Sequence, residues 1–98
     1  MLFAFSIAPA GTPGDSVSAA VADAVRVVRE SGLPNETTAM YTMIEGDWDE
    51  VMAVVKRATD VILEQAPRAS LVLKADIRPG HTGQLTAKVE RVEEYLTE

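Results

Sequence analysis

The residues most able to take part in chemistry lie between positions 40 and 50. Thr42 and Glu45 place a hydroxyl and a carboxylate three positions apart, in an apolar run that favours a β-strand. Asp47 suits the N-cap of a helix, and Glu50 follows three residues later, as in a capping box. Glu45 is therefore expected where a strand ends beside a helix N-terminus, a common position for a ligand-facing group.

Composition and charge exclude several classes of function. The 98 residues include no cysteine, which rules out disulfides, thiolate metal sites and thiol nucleophiles. The net charge is −6 without a cluster of cations, so we expect no nucleic-acid partner. The single histidine, His81, lies in a Pro-Gly-His-Thr-Gly loop typical of a solvated turn, and we expect neither a metal site nor a catalytic triad.

Length and hydropathy predict one globular domain over residues 1–98. Hydrophobic residues make up 47% of the chain, too many for a disordered protein. The N-terminal ten residues lack a basic region and contain Ser6 and Pro9, so neither a signal peptide nor a membrane span is expected. A cytoplasmic location without membrane contact fits these features.

Apolar periodicity and turn residues predict seven elements in the order β-α-β-β-α-β-α. These are a strand Leu2–Ala8, a helix capped by Asp15 or Ser16 that buries Val17, Ala20, Val21, Ala24, Val25 and Val28, two hairpin strands at 35–41 and 42–46, a helix from Asp47 to about Ala66, a strand Leu71–Arg78, and a last helix carrying Leu85, Val89, Val92 and Leu96. The second helix directs Val51, Val54, Val55, Ala58 and Ile62 inward.

This order predicts an α+β fold, a ferredoxin-like βαββαβ sandwich with an extra C-terminal helix. Two helices would cover one face of a four-stranded antiparallel sheet. The opposite face mixes apolar and charged residues, which suits a subunit interface, so we expect a homodimer or homotetramer. The last helix would clasp a neighbour or pack at its own sheet edge. We expect the first and third strands to be adjacent and parallel, bringing Ser6 and Glu45 to the same end of the sheet.

Three segments carry a resemblance to a known family. They are the strand Phe3–Pro9 with its Gly11-Thr12 loop, the stretch 40–47 that contains Thr-x-x-Glu-Gly-Asp, and the strand with Lys74, Asp76 and Arg78. Together with element order and length, they make the chain resemble the small thiamine-binding proteins of the YkoF-like or MTH1187-type family. The resemblance implies a ferredoxin-like fold, dimeric or tetrameric assembly and binding of thiamine (vitamin B1) or its hydroxymethylpyrimidine moiety, without catalysis or another cofactor.

A thiamine site would need a carboxylate, a few hydroxyl groups and apolar walls for two flat rings. Glu45 would accept from the aminopyrimidine or offset the thiazolium charge, Ser6 and Thr42 would supply hydroxyls, and Met40 a polarisable wall. Lys74 is a further candidate contact. Strand alternation places Thr42 and Glu45 on opposite faces. Each residue also has a structural interpretation: a helix-end carboxylate for Glu45, strand or turn hydroxyls for Ser6 and Thr42, a core methionine for Met40, and an intersubunit or cross-strand ion pair for Lys74, which shares a strand face with Asp76.

The biological role stays open at this point between sequestration, sensing and delivery in thiamine metabolism. An alternative is an oligomeric regulatory module that resembles the amino-acid-binding ACT domains, which share the fold. A small enzyme on the same fold is a further alternative, although the sequence offers no convincing acid–base pair. Ligand identity would separate a thiamine binder from an ACT-like module, and turnover would identify an enzyme.

Overall fold

The computed structural model describes residues 1–11 and 17–97 of the chain. It contains the seven predicted elements in the predicted order. These are β1 (Leu2–Ala10), α1 (Val17–Glu30), β2 (Asn35–Thr37), β3 (Thr42–Glu45), α2 (Trp48–Gln65), β4 (Arg68–Asp76) and α3 (Gln84–Leu96). Thr12 of the predicted Gly-Thr loop and the predicted caps Asp15 and Ser16 lie outside the described residues.

The four strands form one antiparallel sheet in the order β2-β3-β1-β4, which confirms the predicted α+β fold. The predicted direction of β3 is wrong: β1 and β3 are adjacent but antiparallel, with Leu2 opposite Glu45 and Phe5 opposite Thr42. The crossover through α1 makes β2 parallel to β1, and the hairpin then reverses β3. Ser6 therefore lies beyond the start of β3, while Glu45 lies at its far end.

The core lies between α1, α2 and one face of the sheet. All five residues of α2 predicted to point inward are buried, and Phe3, Phe5 and Ile44 meet them from the sheet. The prediction for α1 is only partly correct, because Val17 is exposed and Val21 and Val25 stay half-buried. The sheet is narrow beside α1, where β2 has only three residues, so the helix buries one ridge alone.

The bounds of β1, β2 and β4 differ from the prediction, and β2 ends at Thr37 instead of position 41. β1 continues two residues beyond Ala8, because β4 pairs with it as far as Arg68 opposite Ala10. Proline at position 9 is tolerated there, since β3 borders β1 only as far as Phe5. β4 begins at Arg68, directly after Pro67 ends α2, and stops at Asp76 instead of Arg78.

α3 lies on the face of the sheet opposite α1 and α2, and its main backbone contacts are with β3. The radius of gyration is 14.9 Å, larger than the roughly 13 Å typical of a compact domain of this length. The extended helix explains this excess. Among the described helices, none combines the length and the apolar character required to cross a membrane.

Candidate functional site

Glu45 lies at the end of β3, and its carboxylate caps the N-terminus of α3. Its side chain is only 5% exposed. The backbone N–H groups of Gln84 and Leu85 donate to its two carboxylate oxygens, at 3.2 Å and 3.1 Å. Gly83, at the N-cap position of α3, has no side chain to do this, so β3 supplies the cap instead. The sequence predicts that Glu45 lies beside the N-terminus of the helix that follows it, α2. In the structure its carboxylate also caps the N-terminus of α3.

The backbone around Glu45 is fixed from two sides. The N–H of Glu45 donates to the carbonyl of Pro34 at 2.9 Å, and the N–H of Gly46 donates to the carbonyl of Met1 at 3.0 Å. A Cβ atom at position 46 would lie 3.1 Å from a methyl group of Val51. Glycine at this position therefore lets the strand exit pass closely over Val51 of α2.

The start of α2 follows the predicted capping box. The backbone N–H of Asp47 donates to Glu50 Oε1 at 3.3 Å. Both side chains are exposed, and both line a cleft described in the next paragraph. Glu45 lines the same cleft but is buried. Trp48, the next residue, is half-exposed and contacts Phe3, with a ring-centroid distance of 5.9 Å. The helix start therefore positions two carboxylates beside the one on β3.

Glu45, Asp47 and Glu50 line one concave surface, which we call the Glu45 cleft. Its volume is about 470 Å³. It lies between the β3–α2 turn, the end of the α1–β2 loop and the β4–α3 loop, and its lining consists of Met1, Leu33, Pro34, Glu45, Gly46, Asp47, Glu50, Pro79, Gly80, His81, Thr82, Gly83, Leu85 and Thr86. No lysine or arginine side chain is among these described residues.

The composition of the Glu45 cleft suits a small, flat, positively charged molecule. Its volume is within the roughly 300–1,000 Å³ range of small-molecule sites. Leu33, Pro34 and Leu85 offer apolar walls, and the carboxylates offer acceptors. Each oxygen of Glu45 uses one acceptor position on α3, which leaves further lone pairs available. Over the described ranges, no group of three or more acidic or histidine side chains has the arrangement of a metal site.

Three of the predicted ligand residues, Ser6, Met40 and Thr42, meet around a different cleft. It lies between β1, α1 and the β2–β3 turn and has a volume of about 170 Å³. Thr42 is buried on the helix side of the sheet, whereas Met40 is 75% exposed and is not a core residue. The turn itself is closed by Thr38, whose N–H and hydroxyl both donate to the carbonyl of Tyr41. This cleft is too small for two rings.

Lys74, the fifth predicted residue, lies on the sheet face opposite α1 and α2. It borders a groove of about 300 Å³ with Tyr41 and Met43. Within the chain, the ion-pair partner of Asp76 is Lys88 of α3 and not a residue of a neighbouring strand. This pairing lowers the pKa of the Asp76 carboxyl. The five predicted residues therefore border three separate concave surfaces.

The sequence predicts a loop at residues 79–83 but does not indicate that this loop closes the Glu45 cleft, as it does in the structure. Residues 77–83 connect β4 to α3, and Gly80 and Gly83 both have positive φ angles, which glycine adopts without strain. His81 is exposed, with its Nδ1 3.3 Å from the carbonyl oxygen of Pro79, in agreement with the predicted turn. Gly80 and Gly83, just before the start of α3, are the sequence feature from which a loop folding back over the sheet could have been predicted.

Comparison with known proteins finds relatives whose similarity covers nearly the whole chain. A family model described as thiamine-binding protein matches residues 3–93. A UPF0045 protein from Mycobacterium bovis is 56% identical over 97 residues, covering 98% of this chain and 94% of that protein. The crystal structure of a hypothetical protein from Methanocaldococcus jannaschii has a TM-score of 0.83 and 34% identity, with 95% of each chain covered.

A third similar structure is that of a candidate thiamine biosynthesis/salvage protein from Thermotoga maritima. Its TM-score is 0.76 at 23% identity, and the match covers 92% of this chain and 97% of that chain. At this identity the likeness shows the shared fold alone.

Proposed function

The chain belongs to the family of thiamine-binding proteins, and from that premise we propose that it binds thiamine or its hydroxymethylpyrimidine moiety without turnover. The observation that carries the proposal is the family match over residues 3–93, which includes nearly the whole fold. The same fold in a candidate thiamine biosynthesis/salvage protein supports a thiamine-related role. Sequestration, sensing and delivery in the cytoplasm are the roles that such a binder would serve.

We place the ligand in the Glu45 cleft on the basis of charge and size. Thiamine carries a fixed positive charge on one ring, and the exposed carboxylates of Asp47 and Glu50 lie at the mouth of this cleft. Glu45 lies deeper, where it would accept a hydrogen bond from the amino group of the pyrimidine. The apolar side chains of Leu33 and Leu85 would contact the faces of the rings. Of the five residues predicted from the sequence, Glu45 alone borders this cleft.

A thermal-shift panel tests the proposal. It comprises thiamine, hydroxymethylpyrimidine, the thiamine phosphates and the twenty amino acids. A ligand at a hundred times its dissociation constant stabilises the fold by about 2.7 kcal/mol, which corresponds to a rise of about 10 °C in a domain of this size. We expect the rise with thiamine or the pyrimidine. A rise with an amino acid alone would favour the ACT-like alternative and contradict the proposal.

Charge-removing variants test the placement of the ligand. Asp47→Asn and Glu50→Gln retain the capping preferences of their positions, so the helix start is preserved while two charges are lost. An exposed charge pair contributes about 0.2–1 kcal/mol, so the double variant should weaken thiamine binding roughly 2- to 30-fold. Asp49→Asn is the matched control, because Asp49 lies in the same helical turn but does not line the cleft. Equal affinities for both variants would remove the ligand from this cleft.

The absence of turnover is part of the proposal and has its own test. Thiamine incubated with the protein should be recovered unchanged, as measured by chromatography and mass spectrometry. Conversion that disappears in the Glu45→Gln variant would contradict the non-enzymatic proposal. We also propose that the chain is a homodimer or homotetramer.

A further inference from the structure

Gln84 is the buried residue of α3, and it contacts three different segments of the chain. It is only 9% exposed. Its backbone N–H donates to Glu45 Oε2 at 3.2 Å, and its side-chain Nε2 donates to the carbonyl of Thr82 at 3.1 Å. Its Oε1 accepts a hydrogen bond from Arg91 Nη2, also at 3.1 Å. Gln84 therefore joins the end of β3, the β4–α3 loop and a residue two turns further along α3.

Gln84 does not line the Glu45 cleft, but the groups that it holds do. Glu45, Thr82 and Leu85 all line the cleft. Thr82 belongs to the β4–α3 loop, and the hydrogen bonds of its neighbour His81 stay inside that loop. The Gln84 amide instead reaches from α3 to the loop and holds the Thr82 carbonyl. One wall of the cleft is thus fixed by a side chain that lies behind it.

Glutamine suits this position because its amide presents a donor and an acceptor at the same time. Thr82 offers a carbonyl oxygen, which needs a donor, and Arg91 offers an N–H group, which needs an acceptor. A glutamate would present acceptors alone and bring a further negative charge to the residue that contacts Glu45. A methionine of similar length would make neither hydrogen bond. The amide is therefore matched to both of its partners.

We propose that Gln84 is a positioning residue for ligand binding in the Glu45 cleft and that Arg91 acts through it. Neither side chain lines the cleft. Gln84 fixes the Thr82 carbonyl against the first turn of α3, and with them the wall that includes Leu85. A flat ring packed against this wall loses contact when the wall is displaced, so affinity is set in part from outside the cleft. This inference rests on the proposed function, since it concerns the same ligand and the same cleft.

The charge of Arg91 acts in the opposite direction to its positioning role. Thiamine is a cation, so removing a positive charge from the protein would by itself strengthen its binding. Loss of the hydrogen bond to Gln84 should instead weaken binding, since a typical hydrogen bond corresponds to a factor of about 2–12 in an equilibrium constant. The sign of the change in affinity therefore separates the hydrogen bond from the charge.

Titration calorimetry with thiamine tests the inference in three variants. Gln84→Met keeps a good helix former of similar length without both side-chain hydrogen bonds, and should raise the dissociation constant about 5- to 50-fold. Arg91→Met removes one donor and should raise it about 2- to 12-fold. Arg91→Lys restores an N–H donor and should bind thiamine within about twofold of wild type. Arg91 is exposed, so its variants are expected to fold.

A control and a double variant show whether Arg91 acts through Gln84. Glu90→Gln is the control, because Glu90 is exposed on the same helix and takes no part in these hydrogen bonds. Gln84→Met combined with Arg91→Met should bind no more weakly than Gln84→Met alone, since Arg91 then has no acceptor to hold. Losses of affinity that add in the double variant would overturn the role given to Arg91.

Hydrogen exchange measured by mass spectrometry shows whether the wall itself has moved. Peptides that cover residues 79–86 should exchange faster in Gln84→Met and in Arg91→Met, and Arg91→Lys should restore their protection. Peptides from α2 should keep wild-type protection, because Gln84 is not part of the hydrophobic core. Weaker binding with unchanged exchange in residues 79–86 would contradict a positioning role.

The outcomes distinguish this inference from the function on which it rests. A wild-type protein that does not bind thiamine would refute the proposed function, and this inference with it. Wild-type binding together with an equal affinity in Gln84→Met would overturn this inference and leave the proposed function standing. Tighter binding by Arg91→Met would show that the charge of Arg91, and not its hydrogen bond, acts on the ligand.

Discussion

Replacing Glu45 by alanine is expected to release α3 from the sheet and leave the main body folded. The carboxylate accepts the N–H groups of Gln84 and Leu85 and is the only described cap for that helix, because Gly83 has no side chain. The buried core formed by α1, α2 and the sheet does not involve the Glu45 side chain. The loss should therefore appear in α3 before it appears elsewhere.

The magnitude follows from the two hydrogen bonds. A hydrogen bond to a charged group contributes about 1.5–3 kcal/mol net, so the loss of one already lowers the docking free energy of α3 by that amount. Because about 1.4 kcal/mol corresponds to a factor of ten, exchange of the α3 amide protons should accelerate by at least about tenfold. Glu45→Gln, which keeps one acceptor, should give a smaller increase than Glu45→Ala.

Hydrogen exchange measured by mass spectrometry distinguishes local from global effects. Peptides from α3 should exchange faster in Glu45→Ala, while peptides from α2 should retain wild-type protection. Glu50→Gln is the control, since it removes a nearby charge without touching α3. Unchanged protection of α3 in Glu45→Ala, or equal loss of protection across the whole chain, would refute the capping role derived from the structure.

Three further expectations concern pH, the core and the strand exit. The ion pair with Lys88 lowers the pKa of the Asp76 carboxyl in the folded protein. The stabilisation of the fold by this ion pair is therefore complete above the ordinary aspartate pKa of about 3.9 and is lost as the pH falls through the lowered folded-state value. Thermal unfolding of wild type and Asp76→Asn should differ at neutral pH and converge in strong acid. Ile62→Ala, at a fully buried position of α2, should lower the free energy of unfolding by about 2–5 kcal/mol in denaturant titrations, and a loss below 1 kcal/mol would contradict the described core. Gly46→Ala should cost about 1–3 kcal/mol in the same assay, because its Cβ would crowd Val51 and Leu33, and an unchanged midpoint would show that these side chains move aside freely.

Local patterns predicted the elements that are governed by local physics. The spacing of apolar residues in α2 and the proline at position 67 gave that helix its inward face and its end. The same reasoning overestimated the burial of Val21 and Val25, because periodicity shows which face is apolar and not how wide a sheet lies beneath it. The direction of β3 depends on the crossover and the hairpin together, and here the sequence-based expectation was wrong.

The candidate site was predictable only in part, because it is assembled from distant segments. Strand alternation correctly separated Thr42 from Glu45, and Glu45 lies at the strand exit as predicted, while its contact with a ligand stays a prediction. The partner of Glu45 is α3, 39 positions further along the chain, and no local pattern connects them. Gly83 at the N-cap of α3 has no side chain to cap that helix, but the residue that supplies the cap becomes visible only in the folded chain.

The central claim is that thiamine binds in the Glu45 cleft, and a titration followed by amide proton–nitrogen NMR correlation spectra tests it most directly. The account predicts saturable shifts for Gly46, for residues 80–83 and for Leu85, with a common dissociation constant. Saturable shifts confined to Ser6, Met40 and Thr42 would place the ligand in the smaller cleft instead. No shift at millimolar thiamine would contradict the proposed function itself.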